Sequence, residues 1–597
     1  MAFQLSPGIN ISEIDLTTVV PAVATTEGAI AGVFRWGPTN ERVLISSEIE
    51  LVNTFGRPHS NTTWQNHETF FTAANFLAYS DALYVTRVAD DAANTAGDGT
   101  YFTAAYAGAL GNEIEVATCD STSFAATTSA DDIEIDAGAK EASILSTAST
   151  DITYMAAGDV IIVDGQTLTI ETIGSAQQVA NTSNYETTVT FANKYVSAAN
   201  FTGGFDHQWG YANLFEAAPS TGHQHIVVVD KAGVFSDTGV ATILETYSNL
   251  SETTGAKNSD GSSNFIDTVL EQSSNTIRVA TSGTYPTGAG IIALAGGADS
   301  SDETSSNIVG ALATGYDLYK SKEDVDVSLI LGGSPINLAV TNYIIDSVAE
   351  YRRDAVAFIT PPVTSKNVIT AQELVTATDG MSSSSYAVVD SGYKYQYDKY
   401  NDVYRWVPLN GDVAGLCART DDQRDPWFSP AGYQRGSIKN VVKLAINPNK
   451  TERDLLYKNY INPVVTQPGQ GTVLFGDKTY QGTPSAFDRI NVRRLFIVLE
   501  KAIEVASKTT LFEFNDEFTR AQFVNLVEPF LRDVQGRRGI YDFRVVCDET
   551  NNTGQVIDSN QFVGDIYIKP ARSINFIQLN FVAVRSGVEF SEIVGQV

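Results

Sequence analysis

The chain has 597 residues, 43% of them hydrophobic and 18% charged, and a formal net charge of −31. The length exceeds what one hydrophobic core organises and implies three or four domains. The acidity excludes a basic nucleic-acid surface, and no run approaches the 18 apolar residues of a membrane span, so no membrane insertion is expected.

The first twenty residues carry neither a basic segment nor an apolar stretch, and no signal peptide is read there. Cys119, Cys417 and Cys547 lack CxxC spacing and are expected to be reduced, buried thiols. Residues 95–205 hold fourteen acids against Lys140 and Lys194, residues 206–325 fifteen acids and five bases, and residues 326–597 are nearly balanced with 31 and 28. The acidic, arginine-poor stretch is expected to face solvent, and the balanced part to meet other chains.

In chain order, residues 1–20 form an arm, with Ile9, Ile11 and Ile14 in a strand that has no local partner. The other end reads the same way: Ile577, Leu579 and Phe581 alternate with polar residues, and Phe590 follows. Unpaired strands seek partners, and donating them to another copy is one solution. Residues 21–94 form the first part of a core domain: a strand over 28–34, helices over 46–55 and 65–80, and a strand over 82–88, the edge of a mixed sheet. Residues 95–205 read as an inserted all-β domain with strands at 113–117, 160–163, 168–173 and 187–191. Residues 206–325 read as a second inserted, α+β domain: a strand at 225–230 and helices at 240–250 and 306–321. The core resumes over 326–510 with a continuous apolar strand at 326–331, a helix at 341–351 and a strand at 355–359, a parallel pair covered by helices. Tyr393 to Trp406 reads as an aromatic hairpin turning near 398–402, and 487–508 as a long helix. Residues 511–597 form an inner C-terminal domain and the C-terminal arm. There Phe523, Leu526, Val527, Phe530, Leu531 and Val534 make one apolar stripe on a helix over 517–534. The fold class is therefore α+β multidomain: a mixed α/β core, two inserted domains and two strand-donating arms.

Chemistry is sparse. His223 and His225 could share one strand face and a metal, but no Cys or HExxH accompanies them, so a strand entry is the better reading. Asp299 to Glu303 lacks the order of an EF-hand loop and reads as a solvated acidic loop. No nucleotide fingerprint and no nucleophile elbow occur. Tyr393, Tyr395, Tyr397, Tyr400, Tyr404 and Trp406 could stack bases or sugars, but Asp398 and Asp402 offset the nearby lysines, and a cross-strand ladder is favoured. No cofactor is expected, and no enzymatic activity.

Several stretches carry a resemblance: SPGINISEID (6–15), the run from Gly28 to Pro58, GALGNEIEV (108–116), SVAEYRRDAVAFITPP (347–362), the helix from Phe487 to Lys508 and KPARSINFIQLNFVAVRSGVEF (569–590). In order and spacing they resemble the contractile tail sheath proteins of T4-like bacteriophages. The resemblance implies a homopolymer of stacked hexameric rings around a tail tube, which contracts to drive the tube through the host envelope. Implied partners are the tube, baseplate and tail terminator proteins; implied location is the virion tail, assembled in the host cytoplasm. It also places the C-terminal domain against the tube, making Arg520, Arg532, Arg537 and Arg538 tube-facing candidates. The alternatives are a sheath from a related contractile injection system or bacteriocin-like particle and, in another class, an acidic carbohydrate-binding or hydrolytic surface protein.

Overall fold

The computed structural model describes residues 25–575, other than 62, 125–126, 147–154, 156, 181, 183 and 237. The arm residues Ile9, Ile11, Ile14, Ile577, Leu579, Phe581 and Phe590 lie outside the described residues.

The core is a seven-stranded sheet in the order Val43–Ile45, Leu83–Arg87, Gly28–Gly32, Leu329–Leu331, Val356–Ile359, Ala387–Asp390 and Ile461–Asn462. All neighbours run parallel except Val43–Ile45, which closes one edge antiparallel. Four interior strands are buried along their whole length or nearly so, which is why they read as unbroken apolar runs. Helices cover both faces. Thr69, on the helix His67–Leu77, has its methyl 2.2 Å from where a Cβ on Gly32 would stand, while the next residue back, Ala31, lies under Gly315 of the helix Val309–Asp317. Successive strand residues face opposite sides, so these helices lie on opposite faces. Helix Asn410–Gln423 packs on His67–Leu77 through Gly411 and Gly415; a Cβ at Gly411 would sit 2.3 Å from the Thr72 carbonyl oxygen. The turns Leu338–Asn342, Tyr343–Ala349 and Glu350–Arg352 follow one another, the middle one π-helical.

The inserted domains are nested. Strand Ile114–Asp120 does not join a barrel; it lies inside a four-stranded antiparallel sheet between His223–Asp230 and Gly290–Ala293, with Thr242–Ser251 outside His223–Asp230. This intermediate domain therefore uses residues on both sides of the expected division at 205. The all-β unit occupies Thr127 to Gln208. Six of its strands close a ring, completed by the pairing of Tyr185–Phe191 with Gln166–Ile173. Its interior holds Ile133, Ile144, Ile161, Leu168, Val189 and Phe191, each from the inward half of an alternating pattern.

The helix expected at 240–250 is the strand Thr242–Ser251. Its apolar residues Leu244, Tyr247 and Leu250 all face the intermediate core, at a spacing of three that imitates a helix. Two register shifts against His223–Asp230 produce that spacing, since each bulge delays the alternation by one residue.

The division expected at 510 also moves. Helix Ile490–Ser507 sends Ile490 and Ile497 into the core cluster and Leu495 and Leu499 into the inner-domain cluster, joining the two. Where the chain returns to the core sheet, the Arg352 guanidinium donates to the carbonyls of Tyr319, Ser321, Val325 and Val327 and to Asp354. Its side chain is fully buried. Replacing Arg352 with Met strands those acceptors and leaves Asp354 with Lys501 alone at 3.8 Å, at an expected cost of about 3–5 kcal/mol. Urea unfolding of the core checks this; an unchanged midpoint would show that the carbonyls find other donors.

Candidate assembly surfaces

The strand order puts the point where the parallel sheet reverses direction between Gly28–Gly32 and Leu329–Leu331, the place where open α/β sheets hold ligands. Next to it, past the ends of Leu329–Leu331 and Val356–Ile359, little space remains. The Asn410 amide donates to the Gly333 carbonyl and to Thr360, and a cavity of about 10 Å³ remains beside Ser334 and Thr341, room for one water molecule. Asp390, beneath it, accepts from the Thr360 hydroxyl at 2.7 Å and the Gly392 N–H at 2.8 Å. Burial pushes its carboxyl up to about 8, so it is held protonated near neutrality.

The segment Asp299–Glu303 is a seam and not a solvated loop. Asp299 accepts from the Ala109 N–H, Asp90 accepts from the Ser301 N–H, and Trp64 donates to the Ser300 carbonyl. Glu303 is buried at the start of helix His67–Leu77, where it accepts from the N–H groups of Glu68 and Thr69 at 2.9 and 2.8 Å, a favourable place for a carboxylate. His225 is packed, not ligating: Phe215 stacks on it with ring centres 4.0 Å apart. It receives the Asn249 N–H at Nδ1, so Nε2 carries the proton that it donates to the Ala217 carbonyl; burial lowers its pKa. Among the described residues, no group of three or more His, Cys, Asp or Glu side chains is placed to hold a metal ion. The cysteines are free and buried, and burial pushes the Cys119 and Cys417 thiols up to about 12.

The aromatic hairpin forms as Tyr393–Asp398 and Val403–Pro408, with Tyr395 opposite Trp406 and Tyr397 opposite Tyr404. Ring centres lie 4.8 and 5.3 Å apart across the strands, a ladder as its spacing predicts.

The inner domain packs helix Glu517–Gly536 against Ile490–Ser507 and a two-stranded antiparallel sheet, Ile540–Val546 with Asp565–Pro570. Phe523, Val527, Leu531 and Val534 are buried; Leu526 and Phe530 are half-buried. Asp516 caps the helix by accepting from the Thr519 N–H at 2.8 Å. The four arginines separate. Arg520 is 7% exposed and donates to Asn515 at 3.0 Å. It therefore sits behind the polar face and not on it, because its position one turn before Phe523 points it toward the hairpin side. Arg532 is 70% exposed and paired with Glu528 at 2.9 Å. Arg537 is a staple: it pairs with Asp425, lies 5.2 Å over the Trp427 ring, and its carbonyl accepts the indole N–H. Sequence reasoning missed Asp425 and Trp427 because they lie 112 and 110 residues away. Arg538 is exposed in the left-handed region, φ 68°.

The phage tail sheath protein central domain matches residues 317–480 and the phage tail sheath C-terminal domain residues 483–583. The tail sheath protein of Vibrio phage KVP40 is 36% identical, over 99% of this chain and 100% of its own length. The chain belongs to the phage tail sheath family. The sheath protein of Enterobacteria phage T4 is also 36% identical, with 99% of each chain covered. The sheath tail protein of Listeria innocua shares the fold at a TM-score of 0.50 and 11% identity, over 92% of this chain and 96% of that one. The family domains span the second part of the core and the inner sheath domain with its hairpin and arginines; the barrel and the intermediate domain precede them.

Proposed function

We propose that this sheath chain polymerises as stacked six-fold rings around a tail tube, its copies linked by strands donated from the two ends. The observation that carries the reading is the inner-domain hairpin. Among the described residues its two strands pair only with each other, leaving both edges open. A two-stranded sheet is marginal by itself, and added strands would complete it. Both described ends of the chain come to the same neighbourhood. Arg494, on helix Ile490–Ser507, donates to the Thr25 carbonyl. Asn575 donates to Asp477 at 2.9 Å, and Asp477 in turn pairs with Arg489 just before that helix. Strand-paired ends act as tethers while whole domains rotate, so rings change packing without separating. A difference of a few kcal/mol per subunit between two packings, summed over the polymer, supplies the work that drives the tube through the host envelope. Tube, baseplate and terminator proteins are the partners in this reading, and the virion tail, built in the host cytoplasm, is the location. Full-length identity to phage sheaths supports a phage tail over an injection system. Incubating purified protein with tail tubes and imaging by negative stain tests it: striated tubes that shorten on destabilisation are expected, and compact monomers would refute it.

Within this reading Arg532 and Arg538 face the tube. Reversing both to Glu is expected to release sheath from tube at lower salt than wild type and to leave tubeless polymers intact. Each exposed contact is worth roughly 0–1 kcal/mol, repeated around the ring and screened by salt. Co-assembly across a salt series checks it, and unchanged salt sensitivity would move the tube-facing surface elsewhere.

A further inference from the structure

Two exposed aromatic surfaces of this chain stand in stretches of different charge, one acidic and one rich in bases. The first is the turn between helices Ile490–Ser507 and Glu517–Gly536 together with the first residues of the second helix. Phe512 is wholly exposed, Phe514 84% and Phe518 75%, with Leu511 beside them. Phe512 is held at φ 69°, a left-handed conformation that a bulky residue seldom adopts and that marks functional segments more often than filler. The turn is nevertheless fixed: Asn515 donates to Asn552 and to the Gln561 carbonyl. Glu513, Asp516 and Glu517 alternate with these phenylalanines along the chain.

The second surface lies in the core segment after Trp427. Between Asp425 and Glu452 this strongly acidic chain has no acid and four bases, Arg435, Lys439, Lys443 and Lys450. Among the described residues neither these four nor Arg453 forms an ion pair; Arg435, Lys439, Lys443 and Arg453 lie over rings or donate to carbonyls instead. Tyr433 and Phe475 are exposed and meet edge-on at 6.2 Å, with Arg453 5.7 Å over Phe475.

The two surfaces do not touch within one copy. Helix Glu517–Gly536 has 20 residues and so spans ~30 Å. The phenylalanines stand at its start, and Trp427, leading into the basic segment, is bound just past its end at Arg537. A pair of complementary patches at opposite ends of one body makes a head-to-tail contact, the kind that repeats into rings or open filaments.

We propose that the Phe512–Phe514–Phe518 turn of one copy docks on the Tyr433–Phe475–Arg453 surface of a second copy. This deepens the polymer reading and rests on it. It adds a side-chain contact, distinct from strand donation, that sets register between copies. The test mixes chains carrying Phe512→Cys with chains carrying Tyr433→Cys, the native cysteines being buried, and oxidises them mildly as free protein and as polymer. A disulfide-linked dimer of the two variants in the polymer alone is the expected result. Striated tubes without that dimer, or Phe512→Cys joined only to its own kind or to cysteine-bearing tube protein, would overturn the docking and leave the polymer reading standing. Absence of any polymer from unmodified protein would overturn both. As a second measure, Phe514→Ser and Arg453→Glu should each lower polymer yield roughly tenfold, the loss of one buried anchor. Unchanged yield from both would also refute the contact.

Discussion

A chain lacking residues 1–20 is expected to remain folded and soluble and to form no ordered sheath. The truncation ends before the described core begins: Gly28–Gly32 is an interior strand with partners on both sides, and the Arg494 contact to Thr25 survives. The strand pairings of the described core sheet all lie outside the removed stretch. Polymerisation loses one of its two tethers per copy, and with it the high effective concentration that linked copies hold for one another. Sedimentation should show the truncated chain as monomer where the full chain pellets, and microscopy should show no striation. Wild-type tubes from the truncated protein would sink the strand-donation reading, whatever the fate of the Phe512 turn.

Excision of the barrel has the opposite outcome from excision of the stretch first read as a domain. Removing residues 127–208 and joining the ends through a short Gly-Ser bridge should leave a chain that still assembles. Thr127 and His207 are register partners on adjacent strands, so the barrel's entry and exit lie side by side, the geometry that tolerates such surgery. Removing 95–205 takes out Ile114–Asp120, which pairs on both sides within the intermediate sheet. It uncovers Ile226, Val227, Val228 and Val229, all now buried. Each such side chain is worth about 1.5–3 kcal/mol, so the intermediate domain should collapse into aggregates. Limited proteolysis and solubility separate the two variants; equal behaviour would show that the nesting is wrong.

The core was legible because its strands are buried on both faces and therefore apolar throughout, and helix Glu517–Gly536 because its stripe holds one period for about three turns. The intermediate domain was not, for two reasons. Alanine, threonine and serine dominate both it and the barrel, so composition does not change where the chain changes sheet. Bulges also replaced the period of two in Thr242–Ser251 with a spacing of three. The polar face of the inner domain was read from helix position alone. That places Arg532 outside correctly but cannot see the hairpin and the Asn515 turn that cover Arg520. The acidic seam at Asp299–Glu303 was hidden because a carboxylate that caps a helix from another part of the chain looks, in sequence, like one in water.

The sheet register has a consequence for the order of synthesis. Gly28 pairs with Leu329, so the oldest core strand waits for a neighbour made 301 residues later. At 5–20 residues per second that is roughly 15–60 s. The barrel and the intermediate domain, wholly contained in that interval, are complete before the sheet that carries them can close. The hairpin Ile540–Val546 with Asp565–Pro570 comes last. Under the strand-donation reading a chain released early has no hairpin to receive a neighbour's strand, so a truncated product can give a strand but cannot take one, and it ends the run of links instead of passing it on.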